Sequence, residues 1–208
     1  RADMAPQEVH ALAPGAEKMA RAANEFTTKA RTILADQPVA NMALLRGFSG
    51  LPNVPSMTDL FKLNPVAIAS YPMYRGLAQI VGMDVLPTGT TLGDELDTVE
   101  SCYDKYDFFF VHVKAADAAG EDGNFAAKVK AIEDVDPYIP RLRSINPDVL
   151  MVAGDHSTPS LLAAHSWHPV PFLLNSPYSG ADGLAEFSEQ SCARGSLGRF
   201  PAQQALVL

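Results

Sequence analysis

Phe108-Phe109-Phe110-Val111-His112-Val113-Lys114-Ala115-Ala116-Asp117 is an apolar run of strand length that ends abruptly in charged side chains. Similar short runs recur on either side of it, at 41–45, 66–69, 83–86, 149–152 and 170–174. Between them lie segments with helical spacing, at 73–82, 93–105, 124–143 and 158–164. Continuous rather than alternating apolar runs mark strands covered on both faces, and helices between them supply the cover. The fold class expected is α/β, a mainly parallel sheet with helices on both faces. Upstream, Met19, Ala23, Phe26, Ala30, Ile33 and Leu34 trace one face of an amphipathic helix that stops before Pro38. Gly47 to Pro55 reads as a loop inside the domain.

At 208 residues the chain is sized for one large domain, or a domain with an appendage. With 47% apolar residues it can build a core, and no apolar run reaches the ~18 residues that a membrane span needs. A net charge of −8 argues against a nucleic-acid surface, which requires clustered cations to neutralise phosphates. Cys102 and Cys192 form no CxxC pair, and a reduced, cytoplasmic setting is expected. The chain opens on Arg1-Ala2-Asp3 without a signal-peptide pattern, and is expected to be part of a longer chain or one whose start is missing.

Ligands of open α/β sheets gather beyond the carboxyl ends of the strands. Two such ends carry metal-type side chains: Asp117 and Glu121 follow the 108–113 run, and Asp155-His156 follows 149–153. A third cluster, His165-Ser166-Trp167-His168, directly precedes the last run. Only five histidines occur, and three of them fall between 156 and 168. Carboxylate plus imidazole is the donor set of Zn²⁺, Mn²⁺ and similar ions. Adjacent Asp155 and His156 diverge at a strand end and can serve two ions roughly 3.5–4 Å apart, as in phosphoryl-transfer sites.

Plainer readings stand beside these. Asp117 and Glu121 also suit the first turn of a helix, where the dipole favours carboxylates. His112 reads as a core histidine with its hydrogen bonds met, and Lys114 as a solvated edge charge. Arg46 and Arg75 are scarce cations after apolar runs; they suit phosphate or carboxylate binding, or are surface arginines.

Four ordered motifs, 40–47, 112–123, 154–159 and 165–171, resemble the archaeal-type cofactor-independent phosphoglycerate mutases of the alkaline phosphatase superfamily. The resemblance spans nearly the whole chain. It implies an alkaline-phosphatase-like fold and interconversion of 2- and 3-phosphoglycerate through a phosphorylated serine. It also implies two divalent metal ions, Mn²⁺ foremost, with Mg²⁺, Co²⁺ or Zn²⁺ as the other candidates. Carried over by motif, Asp117, Glu121 and His165 bind one ion and Asp155 and His156 the other. Arg46, Arg75 and Lys114 contact the phosphorylated substrate. Glu121 stands where many relatives have His, which shifts preference toward harder ions.

Nothing here matches the early segment of that family with its metal-binding Asp and nucleophilic Ser. The chain thus resembles the C-terminal part of the enzyme, with the fold incomplete and no catalytic serine among its residues. On this reading 1–39 is a helical connection from an inserted region, 40–208 is the C-terminal half of the catalytic domain, and the chain alone is inactive. The alternatives are a phosphatase or phosphodiesterase on the same scaffold, or a non-catalytic remnant.

Overall fold

The computed structural model describes residues 6–207. The chain divides into two compact units, Arg1–Asn53 and Val54–Leu208. Residues 40–53, attached above to the catalytic half, fall in the first unit.

In that first unit the expected helix forms as α1, Glu17–Ile33. Asn24 fastens the preceding segment to it, accepting from the Val9 N–H at 2.8 Å and donating back to the Val9 carbonyl at 2.9 Å. Ala20 and Ala23 are buried, whereas Met19, Phe26 and Ile33 of the predicted apolar face are half-exposed or more. The strand expected at 41–45 does not form. A strand needs a ladder partner for its backbone groups, and among the described residues of this unit there is no other strand.

In the second unit, α2 (Met57–Phe61) leads into β1 (Pro65–Ala69), α3 (Pro72–Ile80), β2 (Asp84–Val85), α4 (Leu92–Cys102) and β3 (Phe108–His112). The three strands form a parallel sheet in the order β2-β1-β3. Side chains alternate across β1, the central strand. Val66 and Ile68 pack against Leu96, Val99 and Cys102 of α4, while Ala67 packs with Ala78 of α3 and Met83. Val66, Ala67, Ile68 and Ala69 are all fully buried. Helices therefore cover both faces, as the unbroken apolar runs predicted.

Two of these helices start for a local reason. Pro72 sits in the first turn of α3, where its missing N–H costs nothing. Thr91 and Asp94 form a reciprocal capping box on α4.

Beyond β3 come α5 (Ala115–Glu121), α6 (Phe125–Glu133) and α7 (Ile139–Ser144). The single helix predicted at 124–143 is broken because Pro137 and Pro140 cannot donate inside a helix, and a 3₁₀ turn at Asp136–Tyr138 fills the gap. The chain continues through β4 (Leu150–Ala153) and β5 (Phe172–Asn175), an antiparallel pair, to α8 (Glu189–Cys192). Residues 158–164 form turns, not the predicted helix. A bridge between Ser157 and Ser166 closes them into a loop, and Ala163 takes a left-handed φ of 46°. Both cysteines are free, and no described helix is long and apolar enough to cross a membrane.

Candidate metal centre

The site forms where the β3–α5 junction meets the loop after β4. Asp117 lies in the first turn of α5, its carboxylate favoured there by the helix dipole. Gly120, one turn further on, lets α5 touch that loop: a Cβ at this position would stand 2.4 Å from the Thr158 carbonyl oxygen. That close approach delivers Asp117 to the side chains of residues 156 and 158.

Asp117, His156 and His165 each present one donor atom, and the three atoms lie within 4.8 Å of one another. His165 Nε2 is 3.8 Å from Asp117 Oδ1 and 3.3 Å from Glu121 Oε1. His156 Nδ1 is 3.9 Å from Asp117 Oδ1, and its Nε2 is 3.4 Å from Asp155 Oδ2. The two imidazoles lie 3.8 Å apart, centroid to centroid. One carboxylate oxygen and two ring nitrogens, partly shielded from water, form a donor set suited to a divalent transition ion. The residues present fit a metal.

Asp117 is the hub. Thr158, itself buried, donates to its Oδ1 at 2.5 Å, and Lys114 donates to Oδ2. Lys114 Nζ also lies 3.7 Å from Glu121 Oε2. Burial alone would raise the Asp117 pKa, but the bonds from Lys114 and Thr158 and the nearby positive charge outweigh it and hold the carboxyl below the usual range. Lys114 is pushed up in turn, chiefly by its bond to Asp117. Asp155 behaves like Asp117: burial opposes its ionisation, and the Tyr74 hydroxyl and His156 more than compensate.

The five expected ligands are thus gathered at one rim. The grouping differs in detail from the one the resemblance implies, since His156 faces Asp117 and His165 as well as Asp155. Lys114 stands among the carboxylates. Arg75 Nη1 donates to the carbonyls of Ala69, at 3.2 Å, and Leu86, at 3.1 Å, and so closes the ends of β1 and β2. Arg46 is exposed in the first unit.

A family model described as the metalloenzyme superfamily matches residues 10–208. The chain belongs to the metalloenzyme superfamily. Among its curated relatives is a probable 2,3-bisphosphoglycerate-independent phosphoglycerate mutase of Aquifex aeolicus, 48% identical over 198 residues, which cover 95% of this chain and 49% of that protein. A relative of the same name from Thermus thermophilus is 47% identical over 206 residues, covering 98% and 51%. The chain therefore spans about half the length of the curated relatives it matches. Of solved structures, the PH0037 protein of Pyrococcus horikoshii superposes with a TM-score of 0.76 at 30% identity, covering 89% of this chain and 55% of that one. The cofactor-independent phosphoglycerate mutase of Thermoplasma acidophilum superposes at 0.62 and 24% identity, covering 100% and 55%, and shares the fold. These names agree with the resemblance drawn from the four motifs.

Three residues of this metalloenzyme rim escaped the sequence reading. Thr158 lies inside a quoted motif, yet nothing in its spacing reveals that its hydroxyl bridges Asp117 and His156 Nδ1, the latter at 3.0 Å. Tyr74 donates to Asp155 across 81 residues of sequence, and no local pattern announces such a contact. His112, expected to be a satisfied core histidine, is stacked on Tyr74, and its buried Nδ1 has no hydrogen-bond partner among the described residues. Desolvation pulls its pKa down.

Proposed function

We propose that this chain is the metal-binding C-terminal half of a cofactor-independent phosphoglycerate mutase. The reaction is the interconversion of 2- and 3-phosphoglycerate, through a serine outside residues 1–208 that is phosphorylated and returns the phosphate. The observation that carries this reading is the convergence of Asp117, His156 and His165 within 4.8 Å at the carboxyl rim, in a chain that spans about half the length of curated relatives bearing that name.

Asp117, Glu121 and His165 would hold one divalent ion and Asp155 with His156 a second, His156 lying close enough to both groups to link them. Mn²⁺ is the ion we favour, with Mg²⁺, Co²⁺ and Zn²⁺ as alternatives, since a mixed carboxylate and imidazole set accepts all four. Bound there, such ions supply positive charge that activates a hydroxyl and steadies phosphate oxygens. The chain's own residues do the remaining work. Thr158 and Lys114 hold Asp117 ionised and aimed, so that no proton must leave it before it binds a cation. Lys114 and Arg75 supply fixed positive charge at the strand ends for the substrate phosphate or carboxylate. A cytoplasmic setting suits two free thiols and a small phosphorylated substrate.

The test uses the full-length natural polypeptide, incubated with 3-phosphoglycerate and Mn²⁺ and followed by phosphorus NMR. The expected product is 2-phosphoglycerate, and His156→Ala should weaken Mn²⁺ binding by roughly 100-fold or more, since even outer-shell losses cost ~10–100-fold. Free phosphate in place of 2-phosphoglycerate would establish a phosphatase; no turnover in the presence of bound metal would establish a non-catalytic domain.

A further inference from the structure

We propose that Tyr74 is a positioning residue for the metal centre: its hydroxyl holds the Asp155 carboxylate while its ring is clamped on His112. The inference rests on the metal-binding reading given above.

Asp155 follows β4, and β4 pairs only with β5 among the described residues. Its side chain therefore stands at the end of a two-stranded ribbon, whereas Asp117 follows β3 of the three-stranded sheet. Holding ligands from two separate ribbons at one spacing requires a link between them. Tyr74 provides it. It lies in the first turn of α3, directly after β1, and its hydroxyl donates to Asp155 Oδ2.

Contacts other than that bond also hold the ring. It stacks on His112 at 3.7 Å between centroids with planes 28° apart, and Tyr71 and Phe110 flank it at 6.0 and 6.3 Å. His112 gives this stack in place of a hydrogen bond, for its Nδ1 is buried without a partner among the described residues. A tyrosine held on several sides loses little freedom when its hydroxyl donates. The other oxygen of Asp155, Oδ1, accepts from the His156 backbone N–H at 3.0 Å. Each oxygen thus receives one donor, and of roughly four lone-pair positions on a carboxylate about two remain for a cation. Partners of this kind orient a ligand and raise its affinity without touching the ion.

Tyr74→Phe tests the proposal, since it keeps the ring and its stack and removes only the hydroxyl. In calorimetric Mn²⁺ titration of the full-length natural polypeptide, Tyr74→Phe should weaken the Kd about tenfold, within the ~10–100-fold range of outer-shell losses. In an Asp155→Asn background the same change should add nothing further. The thermal midpoint of the metal-free protein should stay close to the parent's. A Tyr74→Phe Kd within about twofold of the parent's overturns the proposal, since an outer-shell role demands more. So does an equal loss in the Asp155→Asn background, or a fall in metal-free stability with affinity intact. A parent that binds no Mn²⁺ overturns the metal reading and this proposal together; a parent that binds while Tyr74→Phe binds equally well removes this proposal alone.

Discussion

β1 and β4 are both short apolar runs at the start of a rim, but the fold uses them differently. Val66, Ala67, Ile68 and Ala69 are completely buried between β2 and β3 and beneath α3 and α4. Leu150, Met151 and Val152 are only half-buried, and Ala153 is exposed. β1 ends at Ser70 over a buried carboxylate, Glu95, whereas β4 ends in Asp155-His156. A strand with neighbours on both edges and helices on both faces supports the fold. The strand at the margin, whose end is open, carries the candidate ligands Asp155 and His156. Burial and chemistry are divided between two runs that look alike as sequence.

The largest expected effect follows from that division. Ile68→Ala removes a fully buried side chain from the contact with Leu96 and Val99, and should cost about 2–5 kcal/mol of unfolding free energy. Val152→Ala, in the half-buried strand, should cost about 1 kcal/mol or less, because less area leaves water on folding there. Denaturant titrations of the two variants check the contrast, and equal losses would erase it.

How much of this was legible follows from where each signal sits. The runs at 66–69, 108–113 and 149–152 became strands because an uninterrupted apolar run leaves a local trace, whether its strand ends up fully buried, as β1 does, or half-buried, as β3 and β4 do. The run at 41–45 had the same trace and no partner, which no single segment can reveal. Asp117, Asp155, His156 and His165 were readable because metal-type side chains at strand ends are rare enough to notice. Thr158, Tyr74 and the unsatisfied His112 were not, since a hydroxyl that bridges ligands and a ring stacked from a distant helix depend on tertiary approach alone. The helix predicted at 158–164 fails for a related reason: those residues are committed to closing the loop that presents His156 and His165.

Gly120 joins the two regions, and its substitution is the second expected effect. Replacing a helical glycine by alanine normally stabilises by up to ~1 kcal/mol. Here the added methyl would stand 2.4 Å from a backbone oxygen that has no rotamer to escape into. Gly120→Ala should therefore destabilise by about 1–3 kcal/mol, as overpacking does, and should weaken Mn²⁺ binding by moving Asp117 away from His156. Thermal unfolding and metal titration measured together check it. A gain in stability would show that α5 and the 158 loop are not in the contact that builds the site.

The smallest effect lies under the β1 rim and depends on pH. Glu95 accepts the Ser70 N–H at 3.2 Å and is almost wholly buried on α4, with Asp94 as its neighbour in sequence. Burial pushes its pKa up to about 7, with Asp94 adding to the rise and the bonds from Ser70 opposing it. A carboxyl whose folded pKa exceeds its unfolded value of 4.5 favours the protonated form in the fold. Its contribution is therefore fully present below pH 4.5, declines between 4.5 and about 7, and is lost above. Glu95→Gln keeps the oxygen that accepts from Ser70 but cannot ionise. Its stability relative to the parent should rise across that window, reaching on the order of 1–2 kcal/mol at pH 8. Unfolding curves at pH 5 and pH 8 decide the matter: a difference between the two proteins that does not grow with pH would mean that Glu95 stays solvated when charged. In that event the β1 rim, like the β4 rim, is open to water, and the division of labour between the two strands lies in their bodies alone.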